Sequence, residues 1–247
     1  MIQQVRGGDG SYTAYSEAFG EHYHSTKEGA LYESLYKHVL PAMRHTQEQK
    51  HIRILDICFG LGFNTLATLW YLQKEGIKKS VRILSPEIDR ALVRSLVDFP
   101  YPKELQPFMP IIESIAKTGE YRDDAFHISV IFGDAREILL TCNERFDIVY
   151  HDAFSPKNNP TLWTLEYFTR IGELLEKEGL LTTYSTALRT RLALYRCGFD
   201  IYLNEGERFR TATLAARCEL PYKKVDMEHK IACNAGVAPL TDANIAR

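Results

Sequence analysis

The chain has 247 residues, of which 45% are hydrophobic and 25% charged, and this suits one α/β domain with additions. Its formal net charge of −2 gives no support to nucleic-acid binding over the whole surface, although a local basic face can still bind RNA. The five cysteines show no C-x-x-C spacing, which argues against a zinc site and a disulfide framework. No apolar run approaches the roughly 20 residues of a membrane span, and no signal peptide is visible, so we expect a cytoplasmic protein with no membrane partner.

Two segments precede the first predicted strand. The first twenty residues are polar and contain glycine, and we expect them to be loosely structured. Apolar residues at helical spacing then predict a helix over 28–43, which Pro41 ends or bends. We expect residues 1–50 to form an N-terminal helical extension that packs on a catalytic domain of residues 51–247.

Short apolar runs alternate with helical patterns through the rest of the chain. Seven strands are predicted, over 52–55, 81–84, 127–132, 146–150, 179–184, 199–203 and 211–216. Helices are predicted over 63–74, 89–97, 136–141, 161–175 and 186–196, and a proline-rich insertion over 99–124 contains one more near 111–117. This alternation predicts an α/β fold with a doubly wound, mostly parallel seven-stranded sheet. The tail beyond Glu219 has no clear periodicity.

Polar or glycine-rich signatures follow four of these strands. In doubly wound sheets, ligands bind beyond the carboxyl ends of the strands. The four signatures are Asp56 with Gly60 and Gly62, then Glu87, then Asp134, and finally Asp152. Together they indicate a ligand site more strongly than any one of them does.

The loop after the first strand runs Asp-Ile-Cys-Phe-Gly-Leu-Gly-Phe-Asn. Glycines two apart allow a tight turn and a close backbone approach to a ligand. Thr65 stands where the G-x-G-x-x-G dinucleotide fingerprint has its third glycine, so that fingerprint is incomplete. An acidic residue at the strand end followed by Gly-x-Gly resembles instead the methyltransferase loop that binds S-adenosylmethionine. A tight turn without a ligand is the alternative. The residues expected at the cofactor are Asp56, Phe59, Gly60, Gly62 and Asn64.

Acidic residues after the second and third strands suit a nucleoside. Glu87 can accept hydrogen bonds from both ribose hydroxyls, and the alternative is a solvated helix cap, a role for which Asp89 competes. Asp134 can accept a hydrogen bond from an adenine amino group, cap the helix that begins near Arg136, or do both. We expect Asp134 and Ala135 to line the cofactor site.

The segment after the fourth strand is the most unusual in the chain. Asp152 lies where the reactive end of a cofactor would be, and its carboxylate can bind an amine, orient its lone pair or accept a proton. A turn rich in turn-forming residues is the alternative, but Phe154 and Trp163 add large apolar side chains beside it. His151 precedes Asp152 on the strand and points to the opposite face, so we do not expect the two to act together.

This segment, Asp-Ala-Phe-Ser-Pro-Lys-Asn-Asn-Pro-x-Leu-Trp-Thr, resembles the signature of the tRNA 5-methylaminomethyl-2-thiouridine methyltransferase family. The Tyr23-His24-Ser25 segment, the glycine loop and the tail over 235–244 are also similar to that family, so the resemblance covers nearly the whole chain. Cys58 departs from the glycine usual there, and 208–214 lacks the family's common Lys-Arg pair, which leaves the tRNA contacts open.

The resemblance implies a Rossmann-like class I methyltransferase fold that binds S-adenosylmethionine and no metal. It implies N-methylation of 5-aminomethyl(-2-thio)uridine at the wobble position, in the anticodon region of tRNA. Asp152 would be catalytic and, with Phe154, also close to the cofactor, while the residues around the substrate would be Tyr23, Phe154, Pro156 and Trp163. Fused relatives carry a flavin-dependent domain that makes the aminomethyl group. This sequence shows no flavin-binding glycine motif, so we expect a stand-alone methyltransferase supplied by another pathway.

Two other functions remain open. An aminopropyl transferase of the polyamine-synthase type would also hold an amine at an acidic strand end of this fold. A module that binds a cofactor or RNA without catalysis belongs to a different class, and the four strand-end signatures argue against it. Basic residues late in the chain, from Arg189 to Lys224, can contribute to a phosphate-binding face, but a mixed solvated surface is the simpler interpretation.

Overall fold

The N-terminal region begins with a three-stranded antiparallel sheet in the computed structural model, which describes residues 3–245. Residues 1–2 of the predicted N-terminal extension and residues 246–247 of the predicted catalytic domain lie outside the described residues. The strands of this sheet are β1 (Gln3–Arg6), β2 (Tyr12–Ser16) and β3 (Glu21–His22).

The expectation that the first twenty residues are loosely structured is therefore wrong. Their polar side chains do not face only water, because they satisfy backbone amides of the helical stretch that follows. Ser11 Oγ accepts a hydrogen bond from Ala30 N at 2.9 Å, and the Asp9 carboxylate accepts one from Tyr32 N at 2.8 Å. A polar segment thus becomes an ordered cap.

The helical stretch is continuous but changes its winding. It consists of α1 (Ala30–Glu33), a π-helical segment (Ser34–Val39) and α2 (Leu40–His45). Pro41 does not end the helix, because it lies in the first turn of α2, where a missing N–H leaves no hydrogen bond unmade.

The central sheet has nine strands. They are β4 (His51–Ile57), β5 (Ser80–Glu87), β6 (Glu120–Arg122), β7 (Phe126–Phe132), β8 (Phe146–His151), β9 (Leu175–Thr183), β10 (Asp200–Asn204), β11 (Ala212–Ala216) and β12 (Lys223–Lys224). Their order is β12-β10-β11-β9-β8-β4-β5-β7-β6, and the five strands from β9 to β7 are parallel. All seven predicted strands are present. The two additional strands, β6 and β12, lie at the sheet edges and are too short to show a periodic pattern.

Helices cover both faces of this sheet and confirm the doubly wound α/β class. They are α3 (Phe63–Lys74), α4 (Arg90–Ser95), α5 (Met109–Thr118), α6 (Ala135–Thr141), α7 (Leu165–Leu174), α8 (Leu188–Arg196), α9 (Met227–Cys233) and α10 (Asp242–Ile245). Alternate residues of β4 belong to two separate apolar clusters, Ile54 to one and Leu55 to the other, so both faces of the strand are buried. Within residues 3–245, no helix has the length and apolar character needed to cross a bilayer.

The C-terminal tail is ordered despite its lack of periodicity. It contains α9 and α10 and returns to the start of α7, where Leu165 N donates to Leu240 O at 2.8 Å. Arg136 holds the Asp242 carboxylate through both terminal guanidinium nitrogens, at 2.9 and 2.6 Å. These contacts fix the tail beside the strand ends that carry the four signatures.

Candidate active site

The carboxyl ends of β4, β5, β7 and β8 surround a cleft of about 1390 Å³. This volume exceeds the roughly 300–1,000 Å³ of a typical single-ligand pocket, so two ligands can be accommodated together. The predicted site residues that line the cleft are Tyr23, Gly60, Glu87, Asp134, Ala135, Asp152 and Phe154. Those that lie behind or beside its surface are Asp56, Phe59, Gly62, Asn64, Pro156 and Trp163.

The glycine loop between β4 and α3 requires its glycines for backbone reasons. Gly60 and Gly62 have φ angles of +52° and +74°, in the left-handed region that side chains disfavour. A Cβ atom at Gly60 would lie 3.3 Å from the Tyr23 ring, and one at Gly62 would lie 3.0 Å from the Phe59 ring. The loop therefore leaves its backbone open towards the cleft while aromatic rings pack tightly behind and above it.

Glu87 is fixed at the end of β5 by two backbone amides. Its carboxylate accepts hydrogen bonds from Gly60 N and Asp89 N, each at 2.8 Å. The side chain is buried, and this burial raises its pKa. Asp89 itself caps α4 by accepting a hydrogen bond from Leu92 N, so Glu87 is not the helix cap. Its remaining lone pairs fit the two hydroxyls of a ribose.

Asp134 combines both of its expected roles. Its side chain caps α6 by accepting a hydrogen bond from Arg136 N at 2.7 Å, and it also lines the cleft next to Ala135. A carboxylate oxygen can accept more than one hydrogen bond, so the cap does not prevent a contact with an amino group.

Asp56 lies beneath the loop and is not at the cleft surface. Its carboxylate accepts hydrogen bonds from Thr65 Oγ1 at 3.0 Å and Asn64 Nδ2 at 3.3 Å. Burial raises its pKa to about 8. Asp56 and Asn64 therefore stabilise the loop from below. Their positions do not favour the direct contact with a cofactor that the sequence predicted.

Asp152 is held at the end of β8 as a carboxylate. Asn64 Nδ2 donates to its Oδ2 at 3.0 Å, and His38 Nε2 lies 3.5 Å from its Oδ1. Burial alone would raise the pKa of Asp152, but the neighbouring His38, His24 and Asn64 outweigh it, so the pKa is lowered. The side chain thus faces the cleft in its charged form, ready to bind a cation.

Two histidines of this site were missed by the sequence analysis. His38 is fully buried in the π-helical segment, with its Nδ1 2.7 Å from Thr182 Oγ1. His24 lines the cleft, and burial lowers its pKa. No local pattern marks either residue, because their partners lie far away in the sequence. By contrast, His151 is buried on the opposite face, as expected, and contacts Leu162 O.

An aromatic wall closes one side of the cleft. The Phe154 ring stacks on Phe19 at 4.4 Å and meets Tyr23 at 4.9 Å between ring centroids. Trp163 is only 1% exposed, and its Nε1 donates to Phe154 O at 2.7 Å. The expectation that Trp163 contacts a substrate is therefore not supported, since the indole fills the core and positions Phe154 from beneath. Pro156, also expected at the substrate, lies outside the cleft lining.

Glu21 connects the N-terminal sheet to this wall. Its carboxylate accepts hydrogen bonds from Ser155 N at 2.5 Å and from Asn158 Nδ2 at 3.1 Å. The segment after β8 is therefore held from both sides, by Trp163 below and by β3 above.

The cleft is strongly acidic. Its acidic lining residues are Glu21, Glu28, Glu33, Glu87, Asp89, Asp134 and Asp152, and its basic ones are Lys27, Lys37 and Arg210. Lys37 is itself neutralised, because its Nζ lies 2.5 Å from Glu28 and 2.7 Å from Glu33. Such a surface attracts cationic groups and disfavours phosphate. Both a sulfonium cofactor and a protonated amine fit this charge.

Comparison with known proteins agrees with this geometry. A family model described as S-adenosyl-L-methionine-dependent methyltransferase matches residues 100–218. An uncharacterized protein of Methanocaldococcus jannaschii is 37% identical over 213 residues, covering 84% of this chain and 57% of that protein. The tRNA 5-methylaminomethyl-2-thiouridine biosynthesis bifunctional protein MnmC of Azoarcus sp. strain BH72 is 31% identical over 203 residues, covering 76% of this chain and 31% of that protein. The chain thus spans little more than half of one relative and about a third of the other.

A solved structure matches the whole chain. The crystal structure of MNMC2 from Aquifex aeolicus aligns with a TM-score of 0.85 and 31% identity, covering 100% of this chain and 81% of that one. The fold, the acidic strand ends and the glycine loop are thereby explained together. The chain belongs to the MnmC methyltransferase-domain family and is an S-adenosylmethionine-dependent methyltransferase.

Proposed function

We propose that the protein methylates the primary amine of 5-aminomethyl(-2-thio)uridine at the wobble position of tRNA, giving 5-methylaminomethyl(-2-thio)uridine. The observation that carries the proposal is the charged Asp152 carboxylate at the end of β8, inside an acidic cleft large enough for two ligands. The similarity to tRNA-modifying relatives supports tRNA as the substrate. In this proposal, residues 1–50 complete the acceptor wall of a methyltransferase domain formed by residues 51–247.

The chemical task of the site is to present an uncharged amine. S-adenosylmethionine supplies a methyl group already activated by its sulfonium sulfur. A primary alkyl amine is mostly protonated near neutral pH and then has no lone pair for attack. Asp152 binds the amine through its carboxylate and orients the nitrogen lone pair towards the methyl carbon. The proton that the ammonium loses before attack passes to solvent, because a carboxylate of lowered pKa is a weaker base than an alkyl amine. The N–C bond forms as the S–C bond breaks, and the product leaves as a secondary ammonium.

The protein also accelerates methyl transfer by holding the cofactor and the amine in position. Asp152 follows β8 and Glu87 ends β5, on either side of β4, and this separation orders the two ligands relative to each other. The Phe154 and Tyr23 rings offer an apolar surface for a pyrimidine base. Burial raises the pKa of Tyr23 to about 12, so its phenol stays neutral beside the base.

Substitution of Asp152 tests the assignment. In Asp152→Asn the shape is kept but the charge that binds and orients the amine is lost, so methylation of aminomethylated tRNA should fall by about 10²- to 10⁴-fold. Calorimetric affinity for S-adenosylmethionine should change by less than about threefold, since most cofactor contacts remain. Asp226→Asn is the matched control, because Asp226 caps α9 outside the cleft and Asn also caps helices.

Nucleoside mass spectrometry distinguishes the alternatives. Undermodified tRNA incubated with the protein should gain one methyl group on the aminomethyl uridine, and a deletion strain should accumulate that uridine one methyl short. We further propose that the protein acts in the cytoplasm, after a reaction that makes the aminomethyl group. Wild-type rates in Asp152→Asn would refute the role of Asp152. Aminopropyl transfer from the decarboxylated cofactor to polyamine precursors would favour the polyamine-type enzyme instead, and cofactor retention without any turnover would favour a binding module.

A further inference from the structure

A second, smaller pocket lies beside the acidic cleft. Its volume is about 210 Å³, several times the roughly 30 Å³ that one water molecule occupies in the liquid. Arg191 of α8 and Lys230 of α9 line it, together with Asn234. Thr186 lines both this pocket and the main cleft, so the two spaces are neighbours at the end of β9.

Arg191 has a fixed guanidinium group without a counter-charge. Its Nε donates to Thr213 Oγ1 at 2.9 Å, while its buried Nη2 has no hydrogen-bond partner among the described residues. Burial lowers its pKa, and only Glu205 acts in the opposite direction. Within residues 3–245, no carboxylate forms an ion pair with it. Buried polar groups are nearly always paired, so this half-buried guanidinium keeps unused donor capacity beside the pocket.

The rest of the pocket is suited to the same ligand. Lys230 is exposed and takes part in no ion pair within the described part of the chain, so its ammonium group is free to turn towards an anion. Asn234 Nδ2 donates one of its two N–H groups to Lys230 O at 2.8 Å. None of the described residues that line the pocket is acidic. The pocket thus has the opposite charge to the cleft beside it.

Hydrogen bonds connect the pocket to the cleft. Thr213 Oγ1, which accepts from Arg191, donates to Ser185 O at 2.6 Å. Ser185 lines the main cleft. The guanidinium is therefore positioned by the same strand-end turn that borders the cleft.

We propose that Arg191 and Lys230 form a binding site for a backbone phosphate of the RNA whose nucleoside occupies the acidic cleft. The cleft repels phosphate and binds a cationic base, whereas the pocket binds phosphate. Together they orient the nucleotide, with its base in the cleft and its phosphate in the pocket. The inference rests on the proposed function for the identity of the nucleic acid. A guanidinium contacts a phosphate through paired N–H donors, which fixes the position of the backbone without reading its sequence.

RNA binding without S-adenosylmethionine tests this site independently of methyl transfer. A fluorescent anticodon stem-loop RNA is titrated at several salt concentrations with wild type, Arg191→Gln and Arg189→Gln. Arg189 is the matched control, since it lies exposed on the same helix outside the pocket lining. Arg191→Gln should weaken binding about tenfold or more, the loss expected for one charged hydrogen-bonded contact. The slope of log Kd against log salt should fall by about 0.7 to 0.9, whereas Arg189→Gln should keep the slope.

Lys230→Gln keeps the test valid if Arg191→Gln folds poorly, because the Lys230 ammonium makes no hydrogen bond within residues 3–245. It should weaken RNA binding in the same direction. Equal losses in the Arg189 and Arg191 variants would overturn the site, since they would reflect general charge alone. The site would also be overturned as an RNA site if inorganic phosphate raised the Tm of wild type but not of Arg191→Gln, with RNA binding equal in both. RNA binding that depends on Arg191, in a protein that methylates no aminomethyl uridine, would refute the proposed function and leave this site standing.

Discussion

Lys37 forms the centre of a buried charge cluster whose removal has a calculable effect. The cluster, which we call the Lys37 hub, consists of Lys37, Glu28 and Glu33, whose side chains are each less than a tenth exposed. Glu33 also accepts a hydrogen bond from Ser25 N, and Glu28 accepts one from Arg210 N. The hub therefore joins the loop after β3 to the loop between β10 and β11, both of which contribute to the cleft lining.

Lys37→Met should destabilise the protein strongly. The substitution keeps most of the side-chain volume but leaves two buried carboxylates without a counter-charge, a change that costs about 3–5 kcal/mol. For a protein of this size that corresponds to a decrease in Tm of roughly 6–20 °C. Urea unfolding at pH 7 measures the loss in free energy directly. Combining Lys37→Met with Glu28→Gln and Glu33→Gln should recover much of it, because the glutamine oxygens still accept from both backbone amides.

The pH dependence gives a second readout of the Lys37 hub. In wild type, burial alone would lower the pKa of Lys37, but the nearby carboxylates of Glu33 and Glu28 outweigh this effect and raise it. The stabilisation by Lys37 is therefore present at neutral pH and is lost only as pH rises through the pKa of Lys37 in the folded protein. Lys37→Met lacks this titrating group, so its deficit in unfolding free energy against wild type should shrink only as pH rises through the pKa of Lys37. A loss below about 1 kcal/mol, or a triple variant no more stable than Lys37→Met, would refute the reasoning, since exposed ion pairs behave in this way.

Two further predictions concern the glycine loop and the carboxyl group beneath it. Gly60→Ala should raise the calorimetric Kd for S-adenosylmethionine by about tenfold, since a 1.4 kcal/mol disturbance from the new Cβ against Tyr23 suffices. Gly76→Ala, at φ +63° with nothing within 4 Å, should lower Tm while leaving this Kd unchanged, and equal effects of both variants on Kd would contradict a specific role of Gly60. Because burial raises the pKa of Asp56 to about 8, the unfolded chain releases this proton at lower pH than the folded one, so its contribution to stability falls between about pH 4 and pH 8. Asp56→Asn should therefore show a smaller loss of urea-unfolding free energy from pH 5 to pH 8 than wild type, and an identical loss would show that Asp56 is not the titrating group.

The parts of the fold predicted well from the sequence are those with strong local patterns. The parallel strands β4, β5 and β8 are buried on both faces and appear as short apolar runs that end in acidic residues. Because such strands end at one edge of the sheet, Glu87 and Asp152 could be placed together at the cleft. The glycine loop was recognisable because positive φ angles restrict the choice of residue.

The parts predicted poorly depend on contacts between distant segments. Ser11 and Asp9 look like loop residues until the amides they satisfy, at the start of the helical stretch, are known. His38 lies 144 residues from its partner Thr182, so no local spacing in the sequence indicates the pair. Trp163 has the size of a substrate-binding aromatic, but a carbonyl oxygen within reach of its indole N–H allowed it to be buried instead.

The bond between Glu21 and Ser155 has a consequence for how the site comes into being during synthesis. The two residues are 134 positions apart, and the Glu28 contact with Arg210 spans 182. A ribosome must therefore release most of the chain before the N-terminal sheet can find its place over the cleft. Contacts of such separation form late, because the entropy of closing long loops must be overcome first. The cofactor loop and its helix can fold early, but the enclosure for the acceptor is completed only when nearly all of the polypeptide is present.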